Sequence, residues 1–154
     1  MSSGADSSIA RGRRLALDFG LARIGVAVSD PDGQFAFPTA VLDAQEWEQD
    51  LRDLIAEYEP IVIYVGFPIN LSGDEGSSSS LAREFALEIA GIFTGEIRLV
   101  DERLTTKSAL SELKESGKSE REARATIDSV AATHLLEGVL GSERSRNDFA
   151  GKRL

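Results

Sequence analysis

The amino-acid sequence predicts an α/β fold, a mixed five-stranded sheet flanked by helices. The first apolar segments are short and separated by turns, later apolar runs alternate with segments of helical spacing, and the last third of the chain is helical. The resulting order β-β-β-α-β-α-β-α-α places a three-stranded antiparallel meander before right-handed βαβ units. The chain of 154 residues has no internal repeat and fits one domain.

The meander occupies the start of the folded region. Two short apolar runs, 14–18 and 24–29, are joined by a tight glycine-containing turn. The segment 30–33 (DPDG) makes the next turn, because proline fixes φ and glycine accepts a positive φ. Residues 35–42 then form a third strand, and Pro38 favours a place for it at an edge of the sheet.

A helix and a buried strand follow the meander. Asp43 is suited to cap a helix that runs to about Tyr58, and Pro60 prevents its continuation. The segment 61–65 (IVIYV) is an uninterrupted apolar run, which is typical of a strand covered on both faces. A loop rich in Gly, Pro and Ser occupies residues 66–80.

The remaining sequence repeats this alternation and ends in helices. Residues 81–93 carry apolar side chains at helical spacing, and residues 97–100 form a second buried strand. Two further helices are predicted over residues 105–116 and 120–140, with Gly117 between them.

Charge is distributed unevenly around this domain, which we place at residues 14–140 between flexible tails at 1–13 and 141–154. The net charge is −9 overall, and subtracting +2 for each of the segments 1–14 and 141–154 leaves −13 for the rest. Nucleic-acid binders usually carry the opposite sign. Binding of nucleic acid would therefore depend on bound cations and on local basic groups.

Composition limits the kinds of site and the compartment. The chain has no cysteine, which excludes disulfides and thiolate metal sites and favours the cytoplasm. Its single histidine, His134, argues against a His-rich zinc centre. No apolar stretch approaches the roughly 18 residues of a membrane span, so we expect no membrane partner.

Three carboxylates occupy places where a metal site could form. Asp18 ends the first strand, one or the other of the adjacent Asp101 and Glu102 ends a buried strand, and Asp128 interrupts a small apolar helix face. Each also has a structural explanation. Asp18 could cap its own turn, the acid of the second strand could stabilise the start of the next helix, and Asp128 could lie on an exposed face of its helix. Together they provide the oxygen ligands that Mg²⁺ prefers, and two such ions can hold the attacking and leaving oxygens of a phosphoryl transfer.

The immediate neighbours of these carboxylates leave two questions open. Strand alternation sends Asp101 and Glu102 to opposite faces, so only one of them can join the cluster. Arg23 and Arg103 could each hold a phosphate through paired hydrogen bonds, or they could simply neutralise the nearby acids.

Four segments resemble the signature segments of the YqgF/RuvX family. They are 18–29 (DFGLARIGVAVS), 65–76 (VGFPINLSGDEG), 101–106 (DERLTT) and 127–132 (IDSVAA). The resemblance implies an RNase H-like fold and a nuclease that matures the 5′ end of pre-16S ribosomal RNA. It also implies that Asp18, Glu102 and Asp128 are the catalytic residues and hold Mg²⁺ or Mn²⁺. Two departures are Phe67, where the family usually has leucine, and acidic residues in the segment 117–124, where relatives are often basic.

Further expectations concern the substrate and its contacts. We expect Arg23, Arg103, Thr105 and Asn70 to contact nucleic acid, and structured RNA such as pre-rRNA, or branched DNA, to be the partner. Two alternatives stay open, a Holliday junction resolvase and a non-catalytic nucleic-acid or ribosome-assembly binding module. We expect a monomer or a weak homodimer.

Overall fold

The computed structural model describes residues 10–67, 77–101 and 120–154, with the backbone alone for 67, 77–79 and 120–129. The described residues form one six-stranded sheet and three helices. In chain order these are β1 (Arg14–Phe19), β2 (Arg23–Ser29), β3 (Ala36–Asp43), α1 (Glu48–Tyr58), β4 (Val62–Phe67), α2 (Ser77–Ile89), β5 (Glu96–Asp101), α3 (Glu120–Arg146) and β6 (Lys152–Arg153). The predicted α/β class is confirmed, with one strand more than the predicted five. The helix predicted over 105–116 lies outside the described residues.

The sheet is mixed and has the strand order β3-β2-β1-β4-β5-β6. Strands β1, β2 and β3 form the predicted antiparallel meander, and β1, β4 and β5 are parallel to one another. The carboxyl ends of these three parallel strands therefore meet at one edge of the sheet, which is where ligands commonly bind in α/β folds.

Apolar side chains cover both faces of the sheet. On one face, α1 and α2 pack through Leu51 and Phe85, and Trp47 meets the Phe85 ring edge-on at 4.9 Å between ring centroids. On the other face, α3 packs on the sheet, where Ala16, Ala27 and Ala132 are all fully buried. Because these three side chains are small, α3 lies close to the strands.

The meander turns largely as predicted, but α1 begins later than expected. Gly33 takes φ 66°, and its N–H donates to the Asp30 carbonyl at 3.1 Å. Asp43 still pairs with Arg23 in the register of β2 and β3, and its carboxylate accepts the Gln45 N–H at 2.7 Å. Asp43 thus ends a strand and begins a turn instead of capping the helix, because the ladder extends as far as this residue.

The C-terminal segment 141–154, expected as a flexible tail, carries defined structure. Helix α3 continues to Arg146, and β6 pairs antiparallel with β5. Its contacts with the sheet are made by Glu143 and Ala150, which are both buried. Because Glu143 is buried at a position where an apolar residue would be expected, the helical spacing of apolar residues is lost there. The sequence therefore predicted that α3 ends before its observed last turn. Residues 1–9 of the predicted N-terminal tail lie outside the described residues.

Strand β3 forms one edge of the sheet and includes Pro38. The β2–β3 pairing shifts register between Val26 and Ala27. None of the three described helices is long and apolar enough to cross a membrane.

Candidate active site

Asp18 lies on the strand β1 between two glycines of the neighbouring strands. Its partners in the register are Gly25 on β2 and Gly66 on β4, so it has no side chain beside it in that row of the sheet. The structure therefore places Asp18 near the carboxyl end of β1, and its role as a metal ligand stays a prediction.

The face on which Asp18 lies follows from strand alternation. Ala16, two residues earlier, belongs to the core beneath α3, whereas Leu17 belongs to the core beneath α1 and α2. Asp18 shares the face of Ala16 and so projects on the side of the sheet that α3 covers.

The register of β5 separates Asp101 from Asp18. Gly66 pairs with Val100, and Val100 packs against the core beneath α3. Asp101 is the next residue along β5 and shares its row with Phe67, so it lies on the opposite face of the sheet. Of the two adjacent acids, Asp101 is thus not the one that joins Asp18. Glu102 lies outside the described residues.

Helix α3 places position 128 on its sheet-facing stripe. Ala132, Leu135 and Val139 are buried against the sheet, and position 128 precedes them by four, seven and eleven residues, which keeps it on the same side of the helix. The side chain of Asp128 lies outside the described part of the structure, so its place in the site stays a prediction.

One contact of α3 with β1 is relevant to the predicted meeting of Asp128 with Asp18. Glu143, near the end of α3, accepts a hydrogen bond from Arg14 at the start of β1, so the C-terminal end of the helix lies over the start of this strand. From Glu143 back to position 128 the helix rises about 22 Å. From Arg14 to Asp18 the strand advances about 13 Å. That the two aspartate positions meet at the same end of the sheet stays a prediction, and it requires α3 to be inclined to the strands.

The donor set suits a hard divalent cation. Carboxylate oxygens are the ligands that Mg²⁺ and Mn²⁺ prefer, and Asp18 is paired with a glycine on each of its two neighbouring strands. Among the described side chains, those of residues 10–66, 80–101 and 130–154, no group of three or more from His, Cys, Asp or Glu is arranged around a common point. Two of the three predicted ligand side chains, those of Glu102 and Asp128, fall outside that search.

The residues predicted to contact nucleic acid are mostly outside the described regions. Arg23 is the first residue of β2, half-buried, and is paired in the register with Asp43 on β3. Asn70, Arg103 and Thr105 lie outside the described residues, so their contacts stay predictions.

A second polar group, which the sequence did not reveal, lies beneath the far end of α3. We define the buried polar cluster as Arg14 on β1, Tyr64 on β4 and Glu143 on α3. Arg14 Nε donates to Glu143 Oε1 at 3.0 Å, and the Tyr64 hydroxyl donates to Glu143 Oε2. Both charged side chains are only 3% exposed. Nothing in a single sequence signals this pairing, because the partners are separated by 129 and 79 positions along the chain.

Burial is the largest influence on the pKa values of Glu143 and Tyr64 in the buried polar cluster. It raises the pKa of Glu143, while the hydrogen bond from Tyr64 and the charge of Arg14 act in the opposite direction. Burial, together with the neighbouring Glu143, raises the pKa of Tyr64 far above the ordinary range of a phenol. Tyr64 therefore stays neutral and remains a hydrogen-bond donor to the carboxylate.

Comparison with known families gives a match over most of the chain. The family model RuvX, described as Holliday junction resolvase, matches residues 12–142. A Streptomyces coelicolor protein named as a candidate pre-16S rRNA nuclease is 47% identical over 138 residues, covering 87% of this chain and 83% of its own length. A Streptomyces avermitilis protein with the same name is 44% identical over 146 residues, covering 92% and 94% of the two chains.

Solved structures share the fold at low sequence identity. The T. thermophilus RuvC in complex with Holliday junction substrate superposes with a TM-score of 0.56 at 14% identity, covering 93% of this chain and 99% of that one. A second Thermus thermophilus RuvC structure gives a TM-score of 0.51. The fold is therefore RNase H-like, as the sequence resemblance implied.

Proposed function

This chain belongs to the RuvX family, and we propose on that premise that it is a metal-dependent nuclease in the 5′-end processing of pre-16S rRNA. Its family and the names of relatives at 44–47% identity assign it to the hydrolases that act on phosphodiester bonds. The finer assignment to rRNA is supported by those names. We further propose that the protein works in the cytoplasm.

The placement of Asp18 is the single observation that carries this proposal. It lies between Gly25 and Gly66 on the face of the sheet that α3 covers, where a phosphate could approach. Alternation along β5 would send Glu102 to that same face, two residues after Val100, and the helical stripe of α3 would bring Asp128 there. We propose that these three carboxylates hold Mg²⁺ or Mn²⁺.

The chemistry would divide between the ion and the chain. A bound divalent cation activates water and stabilises the charge that develops on the phosphate oxygens. Asp18, Glu102 and Asp128 would fix the geometry of the site, and the glycines beside Asp18 would let the substrate backbone approach. Arg23, Arg103, Thr105 and Asn70 would orient the phosphodiester.

An acidic nuclease needs compensation for its charge. The net charge of −9 opposes binding of a polyanion. Cations at the carboxylate site would neutralise the part of the surface nearest to the scissile phosphate. We therefore propose that affinity for RNA depends strongly on the divalent ion, and that the protein acts as a monomer or weak homodimer.

A second candidate function is resolution of Holliday junctions. It is favoured by the description of the matching family and by the shared fold of RuvC, which was solved with that substrate. It would use the same carboxylates on branched DNA instead of structured RNA. One assay can therefore compare both substrates.

The test is cleavage by the purified protein of a pre-rRNA 5′ leader and of a four-way DNA junction, each with and without Mn²⁺. We expect Mn²⁺-dependent cleavage of the RNA that is abolished by Asp18→Asn, Glu102→Gln or Asp128→Asn. The matched control is Asp101→Asn, which removes the adjacent acid from the opposite face and should keep activity within a few-fold of wild type.

Three results would change the assignment. Undiminished cleavage by Asp18→Asn would refute the site. Preference for the DNA junction would favour resolution of branched DNA. Binding of the RNA leader without any cleavage, unchanged by Asp18→Asn, would identify a non-catalytic binding module.

A further inference from the structure

The buried polar cluster joins three elements by directional bonds. Arg14 and Glu143 form an ion pair at 3.0 Å, and Tyr64 donates to the second carboxylate oxygen. The Ala150 N–H, in the segment after α3, donates to the Tyr64 hydroxyl at 3.3 Å. All three side chains of the cluster are shielded from water.

Arg14 is also fixed on the sheet side. Its backbone N–H donates to Ser29 Oγ at 2.8 Å, and its guanidinium donates to the Gly12 carbonyl. The guanidinium thus cannot follow Glu143 if α3 moves. The ion pair can form at only one position of the helix along β1.

The rest of the described interface between α3 and the sheet is mostly apolar. Arg144 at the end of α3 donates to the Gly33 carbonyl in the β2–β3 turn at 3.2 Å. The side chains buried farther back along the helix are small or aliphatic, namely Ala131, Ala132, Leu135, Leu136, Val139 and Leu140. Apolar burial is non-directional and changes little when a helix slides. A slide by one residue is about 1.5 Å, and it would break both hydrogen bonds to Glu143.

Both elements that meet in the cluster also carry predicted ligands. Arg14 precedes Asp18 by four residues on β1, and Glu143 follows Asp128 by fifteen residues on α3. Because strands and helices are stiff over such lengths, a contact at one end determines the geometry at the other. We propose that Glu143 is a positioning residue, which through Arg14 and Tyr64 holds α3 at the one register on β1 that brings Asp128 to Asp18.

The catalytic part of this inference rests on the proposed function, whereas the structural part does not. The main variant replaces the cluster by apolar residues of similar size, Arg14→Met with Tyr64→Phe and Glu143→Leu. It removes the directional bonds and leaves no buried charge, a change that often preserves stability or raises it. The second variant is Glu143→Gln, which keeps the shape and the bonding atoms but leaves Arg14 buried without a counter-charge.

The two variants should rank differently in the two measurements. The apolar variant should be the more stable of the two, and Glu143→Gln should bind Mn²⁺ more tightly. We expect the apolar variant to unfold near the wild-type urea midpoint but to bind Mn²⁺ about ten-fold or more weakly, measured by EPR without substrate. We expect Glu143→Gln to unfold at lower urea and yet bind Mn²⁺ more tightly than the apolar variant does. If the buried polar cluster only stabilised the fold, the less stable variant would also be the one that binds Mn²⁺ more weakly.

A matched control and a distance measurement complete the test. The exposed ion pair of Arg11 and Asp32, at 2.8 Å, is removed by Arg11→Met with Asp32→Leu and should leave Mn²⁺ affinity unchanged. The chain has no cysteine, so spin labels can be attached through Leu21→Cys beside the site and Glu137→Cys on α3. Both of these side chains are exposed.

We expect one narrow distance distribution in the wild type and a distribution shifted or broadened by about 1.5 Å or more in the apolar variant. An unchanged distribution, or wild-type Mn²⁺ affinity in the apolar variant, would overturn the inference. A wild-type protein that binds no Mn²⁺ would refute the proposed function instead, and the distance measurement would still decide whether the cluster positions α3.

Discussion

Enlarging Ala132 tests whether the close approach of α3 to the sheet matters for the site. Ala132 has no exposed surface and faces Ala16 and Ala27, which are equally buried, within one apolar cluster. Ala132→Leu adds three carbon atoms where no space remains. The helix must then rise from the strands, and Asp128, one turn earlier on α3, must move away from Asp18.

The size of the effect follows from the packing. Overfilling a well-packed core costs about 1–3 kcal/mol. For a chain of this length, each kcal/mol lowers the melting temperature by about 2–4 °C, so we expect a decrease of roughly 2–12 °C. A displacement near 1 Å at a catalytic group can cost about 10²-fold in rate, so cleavage should fall much more than stability does.

Urea unfolding and RNA cleavage, measured side by side, provide the assay. The matched control is Gly138→Leu on the same helix, where an added Cβ would have no heavy atom from outside its own stretch of helix within 4 Å. It should gain roughly 0.5–1 kcal/mol, because leucine is a better helix former than glycine. If Ala132→Leu matches wild type in both stability and cleavage, the inferred closeness of α3 is refuted.

Three further predictions concern stability. Although burial acts to raise it, hydrogen bonds from the backbone N–H groups of Phe35, Gln34 and Asp32 hold the pKa of Asp30 below its usual value near 3.8. Asp30→Ala should therefore cost about 0.5–1 kcal/mol at neutral pH, and the difference should disappear as pH falls through that lowered pKa; a constant difference in urea titrations would contradict this. Gly151→Ala would place a Cβ 2.3 Å from the Leu99 carbonyl oxygen at φ +70°, so we expect faster amide exchange in β6, and unchanged exchange would show that the strand accommodates it. Leu51→Ala should cost about 2–5 kcal/mol in urea unfolding, since Leu51 is fully buried, and a loss below 1 kcal/mol would show that α1 packs loosely.

Local signals were sufficient for most of the fold. Hydrophobic runs and turn residues located β1, β2, β3 and β4, because strands in a sheet covered on both faces must be apolar and their turns need glycine or proline. Ala36–Asp43 was expected within one residue of its observed bounds. The strand β6 could not be predicted, because two charged residues pair through their backbone and give no side-chain signal.

The candidate site was predictable in part for the same reason. Asp18 could be identified because a strand end before a glycine is a local pattern. The separation of Asp101 from Asp18 needed the register of β5 against β4, which no local pattern specifies. The pairing of Arg14 with Glu143 depends on how α3 crosses the sheet, so only the assembled fold reveals it.

The outer edge formed by β3 affects how the protein behaves at high concentration. An unprotected edge offers a row of backbone donors and acceptors to other molecules, and such edges promote fibril growth. Pro38 lacks an N–H, and the register shift opposite it bends the ladder, so an incoming strand would find an incomplete template. Concentrated solutions of the folded protein should therefore resist strand-to-strand polymerisation from this side.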